Sequence, residues 1–251
     1  MVDLFEGSRE QGGAILLSDG RPIHGLRLLK GRHLKPGVHY GDAPEEGEKP
    51  GPAGTPVASG PAGAPVAQEA TVLREWRPSR TAQVESLMAE ESMVVRVGVR
   101  LREPRTPRAL EVSLDGHNPK GGSLYRFSGR ARADPHAWWA ALDRPSSAPP
   151  AARAPVTGRV VHRLAKARLT VTPRPAEDGS WQVSVVLSVR GRWLLRPVAA
   201  LAPAFARKPV ERGFREAVDS SAEEWAEMPA ELPSLHGEAL RAEIADALTA
   251  H

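Results

Sequence analysis

Arg159-Val-Val-His-Arg-Leu-Ala-Lys-Ala-Arg-Leu-Thr-Val-Thr172, followed after a break by Trp181-Gln-Val-Ser-Val-Val-Leu-Ser-Val-Arg190, decides how this chain is read. In the first run Val161, Ala165, Ala167, Leu169 and Val171 hold the odd positions, and His162, Lys166, Arg168, Thr170 and Thr172 the even ones. In the second, Trp181, Val183, Val185, Leu187 and Val189 alternate with Gln182, Ser184, Ser188 and Arg190. A period of two with one apolar side is the mark of a half-buried strand. Asp178-Gly179 between the runs signals a turn, because glycine reaches φ > 0 without steric cost. The two runs predict a long antiparallel hairpin. Arg163 interrupts the apolar side of the first.

Downstream the period changes. Val210, Phe214, Val218, Ser221, Trp225 and Met228 recur at steps of three or four, which predicts a long amphipathic helix over 210–228. Pro229 and Pro233 end it, and a last helix is expected over 234–250, with Leu235, Leu240, Ile244 and Leu248 on one side.

Upstream, Thr71 to Trp76 reads as a strand. Pro78-Ser79 then opens an expected helix to about Glu90, capped by Ser79, with Val84, Leu87 and Met88 as its apolar side. Met93 to Arg102 is a clear strand. Leu110, Val112 and Leu114 alternate in the next, and Tyr125, Phe127, Gly129 and Ala131 in the one after, across a loop over 115–123. Asp134-Pro135 is an N-cap followed by proline at the first helical position, which predicts a short helix over 136–143. Residues 144–157 form a second flexible connection.

Residues 1–42 form a small N-terminal segment with a short hairpin at Asp19-Gly20. His24, His33, His39 and Asp42 are metal-capable types, but they lack HxxxH or HExxH spacing, and no metal site or cofactor is assigned. Residues 43–68 are a Pro/Gly-rich linker with the near repeat Gly51-Pro-Ala-Gly-Thr-Pro-Val-Ala58 and Gly60-Pro-Ala-Gly-Ala-Pro-Val-Ala67. Such a segment has too little apolar surface to offset its ordering entropy and is expected to be disordered.

At 251 residues the chain is long enough to bury a core. Without a single cysteine it has no disulfide, thiolate metal site or cysteine nucleophile. The N-terminus lacks a basic start followed by an apolar run, and no apolar stretch is long enough to span a bilayer, so a cytoplasmic location is expected. Charge is segregated: residues 93–200 carry 19 Lys and Arg against 7 Asp and Glu, while residues 201–251 carry 5 against 10. That asymmetry bears on partners and not on fold.

Thr71 to Trp76 running into Pro78-Ser-Arg-Thr-Ala-Gln-Val-Glu-Ser-Leu87 resembles the first strand and early helix of the START/SRPBCC superfamily, which includes polyketide cyclases and lipid carriers. Val189-Arg-Gly-Arg-Trp-Leu-Leu-Arg-Pro197, leading into 205–225, is similar to its last strand and closing helix. The resemblance covers about residues 70–228. It implies an α+β fold of helix-grip type, an antiparallel sheet packed against a long C-terminal helix, with an apolar cavity between them for a hydrophobic small molecule. No catalytic residue carries over, and neither GxSxG nor a P-loop is present.

Two sets of candidate residues follow. Tyr125, Phe127, Arg163, Trp181 and Trp225 lie on or near inward faces and would line such a cavity; core packing of the aromatics and a strand-end Arg163 are the plainer alternatives. Arg96, Arg100, Arg126, Arg130, Lys166 and Arg168, with Arg102, Arg132, His162 and Arg190, share the outward face, where a positive sheet would bind a polyanion such as nucleic acid through its phosphates. That face lacks aromatics for base stacking, and the acidic C-terminal residues could neutralise it. A scaffold role, with the linker tethering residues 1–42, is the third reading.

Overall fold

The computed structural model describes residues 2–41, 70–90, 93–145, 153–176, 181–191 and 237–250, with scattered positions between 212 and 220. Among the described residues twelve strands follow one another in a single antiparallel sheet whose spatial order is the order of the chain. They are β1 (Arg9–Gln11), β2 (Ala14–Leu16), β3 (Pro22–Lys30), β4 (His39–Gly41), β5 (Ala70–Arg77), β6 (Thr81–Glu90), β7 (Met93–Arg102), β8 (Ala109–His117), β9 (Arg126–Ala133), β10 (Val156–His162), β11 (Ala165–Pro175) and β12 (Trp181–Gly191). Among the described residues short helices accompany them: α1 (Val2–Glu6), α2 (Pro135–Leu142) and α3 (Gly237–Thr249), and the described positions between 212 and 220 are helical as well.

The core sits at the β2–β5 end. Ile15, Leu17, Ile23, Val38, Tyr40 and Leu73 are buried together with Ala245 of α3, and Leu4, Phe5, Trp76 and Leu248 pack around them. Phe5 of α1 meets Trp76 of β5 edge-on at 6.4 Å. Ion pairs fasten the helices over this cluster: Arg241 to Asp3 at 2.7 Å, and Arg21 to Asp246. Arg105, in the β7–β8 turn, reaches Glu6 of α1 at 2.7 Å. Residues 2–41 thus join the main sheet, with His39 and Tyr40 of β4 paired to Val72 and Thr71 of β5.

Several local signals act as their chemistry dictates. The Asp19-Gly20 turn closes β2 onto β3, with Gly20 at φ 89° and its N–H donating to the Leu17 carbonyl. Asp134 Oδ1 accepts from the Ala137 N–H at 3.0 Å, so it caps α2 with Pro135 in the first turn. β11 and β12 pair along their whole length, from Ala165–Gly191 to Pro175–Trp181.

Three expectations are corrected. The stretch after Pro78-Ser79 is strand β6 and not a helix: the Arg80 N–H donates to the Arg77 carbonyl, closing a tight turn, and β6 pairs with β5 and β7 on either side. Ala, Gln, Glu, Leu and Met favour a helix locally, but two open strand edges outweigh that preference. The run 159–172 is two strands, because Arg163 and Leu164 make a turn and Val161 pairs with Lys166. The interruption at Arg163 is this turn.

The helix-grip arrangement is also overturned. Among the described residues the helices are short, and no long C-terminal helix closes over the sheet. The expected helix over 210–228 falls mostly outside the described residues, as do the linker 43–68 and Trp225. Among the described residues no helix is long and apolar enough to cross a membrane.

Candidate functional site

Cross-strand partners in an antiparallel sheet share a face, so the register assigns every side chain of β6–β12 to one side. Val95, Val97, Val99, Leu114, Phe127, Leu169, Leu187 and Val189 fall on one face. Arg96, Arg100, Arg126, Arg130, Lys166 and Arg168, the polyanion set read from the sequence, all fall on the other. Arg102, Arg132 and Arg190 join them. His162 does not: it pairs with Phe127 on the apolar side.

Arg159 was missed, and parity is the reason. A two-residue turn pairs odd Val161 with even Lys166, so β10 presents odd residues where β11 presents even ones. Read as one strand, 159–172 puts Arg159 on the apolar side. Read as two, it puts Arg159 between Arg130 of β9 and Arg168 of β11, directly opposite each.

Two neighbouring rows across the polar face show different electrostatics. The first runs Gln83, Arg100, Glu111, Arg132, Thr157 and Thr170. Its charged side chains have hydrogen-bond or ion-pair partners within the fold. Arg100 donates twice to Gln83 Oε1, at 3.0 and 2.6 Å, while Glu111 takes Arg102 at 2.9 Å and Arg132 at 3.8 Å. The second row runs Glu85, Gly98, Ser113, Arg130, Arg159, Arg168 and Ser188. Glu85 at its start is held by Arg74 at 2.7 Å and approached by Arg96 at 3.5 Å; the Arg74 hydrogen bond keeps its carboxyl below the ordinary range.

Among the described residues the three arginines of the second row have no such relief. They are exposed, and no described carboxylate lies within ion-pair distance of them. Strands β9–β12 contain eight Arg and Lys residues and no Asp or Glu, and all eight basic side chains fall on this face. Like charges directly opposite each other on adjacent strands destabilise a sheet. The pattern is therefore not one that stability would select.

A groove of about 760 Å³ lies over these two rows, bordered by Arg100, Glu111, Arg130, Arg132, Arg159 and Arg168. Its floor is low where Gly98 meets Ser113: a Cβ at residue 98 would stand 2.6 Å from Ser113 Oγ. A second hollow adjoins it between Arg159, Lys166, Arg168 and Arg190. Among the described residues the face carries no Trp, Tyr or Phe.

The described members of the other candidate set are dispersed. Phe127 and Arg163 border one open hollow with Asp115, His117 and His162. Tyr125 lies in a 3-10 turn and is more than half exposed. Trp181 stands at the opposite end of the sheet, ten residues along β12 from the partner of Ala165, and packs edge-on to Trp138 at 6.0 Å. His162 has a turn-forming role, its Nε2 within 2.6 Å of the Leu124 carbonyl and its Nδ1 accepting from the Leu164 N–H.

Among the described residues no three His, Asp or Glu side chains converge to hold a metal. His33 is placed in a hydrogen-bonded chain. The Leu34 N–H donates to Tyr40 Oη at 3.0 Å, Tyr40 Oη meets His33 Nδ1 at 2.9 Å, His33 Nε2 meets Ser8 Oγ at 2.9 Å, and Ser8 donates to the Phe5 carbonyl at 2.6 Å. A neutral imidazole protonated at Nε2 satisfies every link. Burial depresses the His33 pKa and raises that of Tyr40, consistent with a chain kept neutral at the edge of the core.

In comparisons with known proteins, no family model, no curated protein and no solved structure matches this chain.

Proposed function

We propose that this protein binds a polyanion on the arginine face of its sheet, and that the polyanion is duplex nucleic acid held by its phosphates. The observation that carries this reading is the in-register row Arg130, Arg159 and Arg168, which opposes like charges on three adjacent strands without a described counter-ion. A ligand supplying two or more phosphates would relieve that repulsion, and releasing counterions from the nucleic acid would add affinity. On β7, Arg96 lies near Glu85, Arg100 is held by Gln83 and Arg102 is paired with Glu111, which favours Arg130, Arg159 and Arg168 of β9–β11 as the centre of the binding surface.

Duplex is favoured over single strand by what the face lacks. Single-strand binders interleave basic side chains with aromatic platforms, and the described face has none. Arginines reading phosphates alone give sequence-independent binding. Fluorescence anisotropy with a duplex of mixed sequence, and with the single strand of the same length, tests the reading. Binding of the duplex that weakens steeply with salt supports it. Stronger binding of the single strand would overturn the choice of duplex, and no binding of either at low salt would overturn the polyanion reading itself.

A further inference from the structure

The two edges of the sheet are unlike. β1 is three residues long, Arg-Glu-Gln, with all three exposed, so it offers a short, charged edge. β12 is eleven residues long, and its only charge is Arg190. Its outward backbone groups have no partner strand among the described residues. A long edge rich in β-branched residues and poor in charge is a template for another strand.

We infer that β12 pairs antiparallel with β12 of a second copy of this chain, about a two-fold axis at Val186. The sequence of β12 is self-complementary in that register. Val183 would stand opposite Val189 and Val185 opposite Leu187, continuing the apolar face. On the polar face Ser184 would stand opposite Ser188 and Gln182 opposite Arg190, with Val186 opposite itself. No cation faces a cation, and Arg190 gains the Gln182 amide as an acceptor. The side chains that this pairing covers are unusually open for their type: Val183, Val186 and Val189 are 47%, 56% and 54% exposed. A two-fold axis makes such an interface isologous and closed, which limits growth to a dimer. The inference stands apart from the polyanion reading; if both hold, the dimer sets two arginine faces side by side on one continuous sheet.

Charge at the axis tests it. Val186→Glu places two carboxylates face to face in the dimer, and Val186→Lys two ammonium groups, while each is an exposed substitution in the single chain. Sedimentation velocity across a concentration series should show wild type as a dimer, each variant alone as a monomer, and their equimolar mixture restored to a dimer. Far-ultraviolet circular dichroism should show both variants folded. A wild-type chain that remains monomeric at every concentration overturns the inference. So does a dimer that either variant leaves intact, or variants that do not recover on mixing.

Discussion

The β2–β5 end and the β9–β12 end of this sheet are built on opposite principles. At the first, α1 and α3 cover strands whose side chains fill a shared core, with Ile15 and Leu17 almost wholly buried and ion pairs closing the rim. At the second, β12 has no buried residue, and eight cations stand on one face without an acidic residue in the four strands. One end stabilises the fold; the other tolerates repulsion that the proposed polyanion would relieve. Binding surfaces are drawn from the less stable part of a protein, and the division here follows that logic.

The largest expected effect lies in the core. Ile15→Ala should cost about 2–5 kcal/mol, read by chemical denaturation. Val189→Ala, at a half-exposed edge position, should cost much less, because little of the side chain leaves water on folding. Equal costs would erase the distinction between the ends. Amide hydrogen exchange sharpens the same contrast: the β2–β5 amides should exchange more slowly than those of β11 and β12.

Removing the α2 cap is a smaller change. Asp134→Ala leaves the Ala137 N–H without its acceptor and should cost about 1 kcal/mol. Smaller again is the effect of acid on the core rim. Burial lowers the His33 pKa in the folded state, so the unfolded chain takes up the proton first, near the ordinary value of 6.5. The His33 contribution is therefore complete above that pH and is lost as pH falls through it towards the folded pKa. His33→Gln should flatten this part of the stability–pH curve, and an unchanged curve would remove His33 as its cause.

The same division explains what could be read beforehand. Alternation in β7, β8, β9, β11 and β12 was legible because each strand has one apolar and one polar face, and a period of two needs no knowledge of neighbours. The cap at Asp134 and the turn at Asp19-Gly20 were legible because their chemistry is local. The core was not. Ile15 shares its buried cluster with Leu73 and Ala245, which lie far along the chain, and the short strands β1, β2 and β4 are too brief to show a period. β6 was misread because its residues favour a helix until β5 and β7 offer hydrogen bonds on both sides.

At the candidate site, nine of the basic residues were legible as one face. Their central member was not. Arg159 depends on whether Arg163-Leu164 is a turn, and a two-residue turn reverses the parity of everything before it. The signal available was Arg163 itself, a charge breaking an apolar run at the point where the chain reverses. The length of β11 and β12 separates Phe127 and Arg163 from Trp181, so the described members of the set expected to line one cavity, Tyr125, Phe127, Arg163 and Trp181, do not share one site.

The most direct measurement is the salt dependence of duplex DNA binding, compared between wild type, the triple variant Arg130→Ala/Arg159→Ala/Arg168→Ala, and Arg102→Gln. If each of the three arginines neutralises a phosphate, the slope of log affinity against log salt should fall by roughly 3 in the triple variant. Thermal stability of that variant should be unchanged or higher, because its like-charge contacts are gone. Arg102→Gln should leave the slope almost unchanged, since its charge is already taken by Glu111. A triple variant that binds with the wild-type slope, or an Arg102→Gln variant that loses as much as the triple one, would contradict the assignment of the site to the β9–β12 end.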